Sequence, residues 1–143
     1  MESSPEARAR RAALARTAPL HPKGVWRRQG ACAYLCGTVG AEFDVWQRRL
    51  SVTSAADALF AQQIGLEAVE RVMDELEASA RREVEAAGKK LMPRRSPGYG
   101  DLPLALSRTI LDALDAPRKI GVSITDSNLL VPSKSVTAIC EIC

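Results

Sequence analysis

Arg94-Arg95-Ser96-Pro97-Gly98-Tyr99-Gly100-Asp101-Leu102-Pro103 sits between two helical patterns. Within ten residues it combines guanidinium groups, glycines, prolines, a phenol and a carboxylate. Gly98 and Gly100 can take positive φ or let a ligand approach the backbone, while Pro97 and Pro103 hold φ near −65° on either side. Such a loop is stiff. An arginine meets a carboxylate with two parallel hydrogen bonds, and a tyrosine offers an apolar face with a hydroxyl, so the loop suits a small carboxylate-bearing ligand. The competing reading is a proline-glycine turn between helices that carries a surface arginine.

Working outward, the residues before this loop read as one long helix. Ser54 or Thr53 caps it, with Asp57 placed to reach back in a capping box. Leu59, Ile64 or Leu66, Val69, Val72, Met73, Leu76, Ala80 and Val84 keep helical spacing as far as Gly88, the position of a terminal glycine. Glu67, Arg71, Glu75, Arg81, Arg82 and Glu85 form a solvated face, several at i,i+4 with opposite sign. Glu70 falls one residue after Val69, at the edge of the apolar stripe. A shorter helix over 41–50 precedes, with Phe43, Trp46 and Leu50 inward. Gly30 to Val39 reads as a short buried strand.

After the loop, Leu104 to Leu114 resumes helical spacing and Pro117 bars its continuation. Ile120 to Thr125 and Ser135 to Ile142 alternate as strands and are expected to pair with each other, with one helical turn between them.

The 143 residues fit one domain, and the low aromatic content of 4% implies an aliphatic core. The formal charge of +3 is uneven. Residues 1–28 carry net +5, so the remainder is net −2, which argues against nucleic-acid binding by the fold. The head, 1–28, reads as a basic, solvated and frayed segment with an arginine-rich helix as the alternative, and the domain proper as 29–143. The most apolar run, Ala31 to Ala41, is far short of the ~20 residues of a membrane span, so a soluble, cytoplasmic protein is expected.

Cys32 and Cys36, with Cys140 and Cys143, offer a four-thiolate metal set. On a strand, however, Cys32 and Cys36 stand about 13 Å apart, too far to chelate one ion together. They are read as core residues, Cys140 as a strand residue, and no metal is expected. His21 is the single histidine and lies in the head, which excludes histidine-based acid/base or triad chemistry in the body. Dinucleotide and phosphate-loop glycine motifs are absent. Lys134 and Ser135 could serve an anion, but a strand-entry lysine is the simpler reading. No catalytic residue is assigned.

Three blocks in order, Arg94-x-Ser-Pro-Gly-Tyr99, Gly121-x-Ser-Ile-Thr-Asp126 and Pro132-x-x-Ser135-Val136, resemble the activation (reactivation) domain of cobalamin-dependent methionine synthase, in particular its short stand-alone relatives. Gly100-Asp101-Leu102-Pro103 replaces the long enzymes' Cys-Pro-[Asp/Glu]-His run. The resemblance implies an α+β fold, a bent antiparallel sheet with surrounding helices that include one long helix. It also implies a member truncated at both ends, without the family's N-terminal strands and closing aromatic segment. The implied function is binding S-adenosylmethionine (AdoMet) to support reductive methylation of cobalamin held by a separate corrinoid protein, with a flavodoxin-like reductant. In methionine biosynthesis this would make the chain the reactivation component of a methyltransferase. Carried over by position, Arg94 holds the ligand carboxylate, the Gly98 backbone lets the ligand lie close, and Tyr99 sits beside it. Glu70 offsets the ligand's positive charge, and Tyr99 and Asp101 face the cobalamin. An AdoMet-sensing or scaffold domain without methyl transfer, or a degenerate fragment, are the alternatives.

Overall fold

The central strand of the sheet decides the layering. In a computed structural model that describes residues 4–143, β2 (Cys32–Thr38) has Ala33 and Leu35 buried toward one face and Cys36 toward the other. A strand buried on both faces needs a layer on each side and a partner on each edge. β1 (Lys23–Gln29) pairs antiparallel along one edge, from Lys23 opposite Thr38 to Gln29 opposite Cys32. Gly30, at φ +60°, opens the tight connection between them. β5 (Ser135–Glu141) pairs antiparallel along the other edge, from Thr38 opposite Ser135 to Cys32 opposite Glu141.

The long helix α3 (Ala55–Ala86) covers the first face, where Met73, Ala80 and Val84 meet Ala33, Leu35, Ala138 and Cys140. Its ends fall where the sequence predicts, but the capping box does not close: the Ser54 amide donates to the Leu50 carbonyl, and the Asp57 carboxylate accepts from Arg10. The Ser54 hydroxyl accepts from the Asp57 amide, and Gly88, at φ +81°, follows the C-terminus. There the Gly88 and Lys89 amides donate to Glu85 and Val84, satisfying carbonyls the last turn leaves open. Leu59, expected inward, is exposed, and of the alternatives Ile64 and Leu66 it is Ile64 that enters the core. Gly37 and Gly65 allow close approach. A Cβ on Gly37 would lie 2.8 Å from Val72, and one on Gly65 would lie 2.6 Å from the Phe43 ring.

The second face is covered by α4 (Leu106–Leu114) and α5 (Ala116–Ile120), through Ile110, Leu111, Leu114, Ile120 and Val122 around Cys36. A third cluster joins α2 (Glu42–Thr53) to α3 through Phe43, Ile64 and Val69, with Leu14 from the head. The fold is thus α+β, with a three-stranded antiparallel sheet between helical layers.

Two expectations are corrected. The strands after the loop are not mutual partners: β3 (Ser123–Ile124) pairs with β4 (Leu130–Val131) in a separate two-stranded sheet, and β5 is claimed by β2. Residues 126–134 therefore hold a turn and β4 rather than a helical turn. The reason is register, since β5 matches all seven positions of β2 and fills an edge that would otherwise be buried and unpaired.

The head is also structured. α1 (Pro5–Thr17) starts at a Ser4 cap that accepts from the Ala7 amide, with Pro5 in its first turn. Arg10 donates to Asp57, and Arg11 pairs with Glu67, so two arginines of α1 are tied to α3. β1 then supplies the edge strand. Its arginines Arg27 and Arg28 are exposed, as suits a strand edge, while Val25 and Trp26 are half-buried. Gly24 lies so close to α3 that a Cβ there would sit 2.9 Å from Leu76. The basic composition that suggested a solvated tail belongs to an edge strand and a strap.

None of the helices among the described residues is long and apolar enough to cross a membrane.

Candidate functional site

β5 positions the loop that follows α3. Backbone hydrogen bonds tie Met92 to Glu141 and link Arg95 and Ile139 reciprocally at 2.9 Å, so residues 90–95 run antiparallel along the outer edge of β5. With Arg95 in register with Ile139, the Arg94 side chain turns toward α3. There Nη1 donates to Asp74 at 2.8 Å and to Glu77 at 2.9 Å, and Nη2 donates to Glu70 at 2.6 Å. Positions 70, 74 and 77 follow helical spacing and present three carboxylates on one stripe of α3. Burial alone would lower the Arg94 pKa, but the hydrogen bonds to Asp74, Glu70 and Glu77 outweigh it and move it above its ordinary value. The guanidinium stays charged.

Past Arg94 the chain closes into a tight loop. The Gly98 amide donates to the Leu102 carbonyl at 2.9 Å, and Leu102 donates to Tyr99. Gly98 and Gly100 take φ +90° and +61°, conformations that side chains rarely adopt. Pro97 is buried, whereas Tyr99 is 76% exposed. Asp101 pairs with Arg95 on the surface.

Between this loop, α3, α4 and the start of β5 lies a cleft of about 510 Å³, within the range of small-molecule sites. Glu70 and Leu66 form its α3 wall, and Ser96, Pro97 and Tyr99 its loop wall. Leu104, Leu129 and Leu130 add apolar surface, while Ser107, Asn128, Ser135 and Thr137 add polar groups. Two buried hydroxyl pairs hold the adjoining elements together, Ser107 with Thr137 at 2.9 Å and Ser135 with Thr38 at 2.8 Å.

Of the residues singled out from sequence, Glu70 and Tyr99 line the cleft, Gly98 shapes the loop, and Arg94 stands beside it bonded to Glu70. Asp101 is not among the lining residues. Lys134 is buried at 7% exposure, with Nζ toward Gln47 and over the Phe43 ring, and burial lowers its pKa, so it is a packed strand-entry lysine. Missing from the sequence reading were Asp74 and Glu77, although acids at 70, 74 and 77 are a visible stripe. Also missed were the hydroxyls at 107 and 137 and the Asn128 turn, which converge only through long-range pairing. The cysteines are free: Cys36 and Cys140 lie on opposite faces of the sheet, and no group able to hold a metal ion occurs among the described residues. Burial pushes the Cys36 thiol up to about 12 and, with Glu77 nearby, that of Cys140 to about 11.

Comparison with solved structures places the fold. The crystal structure of the MetH reactivation domain bound to AdoHcy superimposes with a TM-score of 0.74 over 95% of the chain, at 15% sequence identity. The fold is that of the MetH reactivation domain. The chain matches 63% of the length of that neighbour. No family model matches the sequence, and no curated protein matches it. The shared α+β architecture, with its antiparallel sheet and long helix, is the one that the Arg94 to Tyr99 and Gly121 to Asp126 blocks suggest.

Proposed function

We propose that the chain is an AdoMet-binding module that supports reductive methylation of protein-bound cobalamin in methionine synthase. The observation that carries this reading is the cleft itself: the Arg94 to Tyr99 loop, tied by Arg94 to the carboxylates of α3, forms one wall of a small-molecule-sized cavity. The fold is shared with a domain whose crystal structure is described as bound to AdoHcy. AdoHcy and AdoMet share an adenosine and an amino-acid end. The lining suits them, with leucines and Pro97 for the adenine faces and hydroxyl and amide groups for the ribose.

In this reading Arg94 binds the ligand carboxylate, Gly98 leaves room for close approach because it has no side chain, and Tyr99 and Glu70 flank the ligand. Tyr99, exposed beside Leu104 and Leu129, is where a corrinoid-carrying partner would cover the cleft. Asp101, paired with Arg95, is an outer contact for that partner. Cobalamin held by the partner would be the methyl acceptor, made nucleophilic by one electron from a flavodoxin-like protein, and AdoMet would be the methyl donor, released as AdoHcy. The chain's own residues then hold the donor and exclude water, positioning work that needs no acid or base.

Isothermal titration with AdoMet tests the reading. Saturable heat is expected with the chain alone, and faster methylcobalamin formation is expected when the chain is added to a cob(II)alamin-loaded corrinoid protein with a reductant. Absence of heat at millimolar AdoMet overturns it.

A further inference from the structure

Glu70 and Arg94 do not stand equally toward the cleft. Glu70 contributes to the wall and Arg94 does not, so Glu70 lies between the cavity and the guanidinium that the ligand carboxylate is expected to reach. The three carboxylates on Arg94 also differ in how firmly they are held. Glu77 is 15% exposed and also accepts from Arg81 at 3.0 Å. With Asp74 it occupies Nη1. Glu70 is 55% exposed and is bonded through Nη2. With Arg81 counted, two guanidinium groups face three carboxylates, an excess of one negative charge. Asp74 is more exposed still, at 69%, but does not line the cavity, so Glu70 is the carboxylate that a ligand meets and can release.

We propose that Glu70 is a built-in occupant of the ligand-carboxylate position on Arg94, displaced when an amino-acid ligand binds. The proposal rests on the AdoMet reading above and changes the role of Glu70 within it, from offsetting the ligand's positive charge to competing with its carboxylate. The exchange conserves charge. Nη2 gives up one carboxylate and takes another, Nη1 keeps Asp74 and Glu77, and the guanidinium never loses its anchor to α3. Because Glu70 is itself 55% exposed, its carboxylate is readily rehydrated on release, whereas release of the 15%-exposed Glu77 would cost more. The pair therefore holds Arg94 in its binding orientation in the empty cleft and yields to a ligand that brings its own carboxylate. Ligands without that group gain nothing from the exchange, so the pair selects for the amino-acid end over the nucleoside end.

Glu70→Gln keeps the side-chain shape and removes the competing charge. Titrations of the parent and of Glu70→Gln with AdoHcy, and with 5′-methylthioadenosine as the carboxylate-free control, test the proposal. AdoHcy is expected to bind the variant about three- to fivefold more tightly than the parent, with methylthioadenosine unchanged. Weaker or unchanged AdoHcy binding in a variant that melts like the parent overturns the proposal and leaves the AdoMet reading standing. So does an equal gain for methylthioadenosine. If neither protein binds AdoHcy, the functional reading fails, and this inference with it.

Discussion

The two halves of α3 carry the same kind of interaction for different ends. Near its N-terminus, Asp57 and Glu67 each take one arginine from α1, Arg10 and Arg11, in pairs that balance charge for charge. Further along, Glu70, Asp74 and Glu77 converge on the single Arg94, 19% exposed, beside a cavity. Balanced pairs with at least one partner in water, such as Arg10 with the buried Asp57, fasten one element to another and contribute modestly. An arginine shared among three acids, largely out of water, next to an open cleft, is a poor fastening and a good receptor. What separates strap from site is therefore stoichiometry and placement, not residue type.

Arg94→Ala is the sharpest way to break this contrast. It removes a charged, bidentate-capable donor, worth roughly 1.5–3 kcal/mol, so AdoMet affinity is expected to fall by tenfold or more in titration, whereas Arg10→Ala leaves affinity unchanged. Equal losses in the two variants would mean that both ends of α3 act only through stability. Gly98→Ala comes next. At φ +90° a side chain is strained by about 1–2 kcal/mol, and the added Cβ would lie 3.1 Å from Leu104 Cδ1. Weaker binding with a lower melting temperature is expected, while Gly88→Ala, with nothing within 4 Å, affects stability alone.

The smallest effect belongs to the strap. The hydrogen bond from Arg10 holds the Asp57 carboxyl below its ordinary pKa of 3.8, against a smaller opposing effect of burial. A carboxyl depressed in the folded state stabilises above the unfolded pKa, and that contribution is lost as pH falls through the folded value. Asp57→Asn is therefore expected to lower the melting temperature slightly at neutral pH and to flatten the acid limb of the stability curve below about pH 4. AdoMet binding should not change.

Much of this was readable from residues alone where the signal is local. Apolar spacing from Ile64 to Val84 and the Ser54 and Gly88 ends define α3, and the Arg94 to Tyr99 spacing marks the loop. The partners of β5 were not, because alternation says that Ser135 to Ile142 is a strand but not which edge it joins. Composition misled at the head, where an arginine count cannot distinguish a solvated tail from a strap whose arginines meet acids some fifty residues away, as Arg10 meets Asp57. The cleft is legible only in part, since Ser107, Asn128 and Thr137 reach it through packing that no short window contains.

Backbone amide chemical shifts during titration with AdoHcy locate the ligand directly. Changes centred on Ser96, Gly98, Tyr99, Asn128 and Leu129, with α1 and its Arg10 and Arg11 contacts silent, are the expected result. Shifts confined to α1 and the N-terminal turns of α3, or no shifts at saturating ligand, would contradict it.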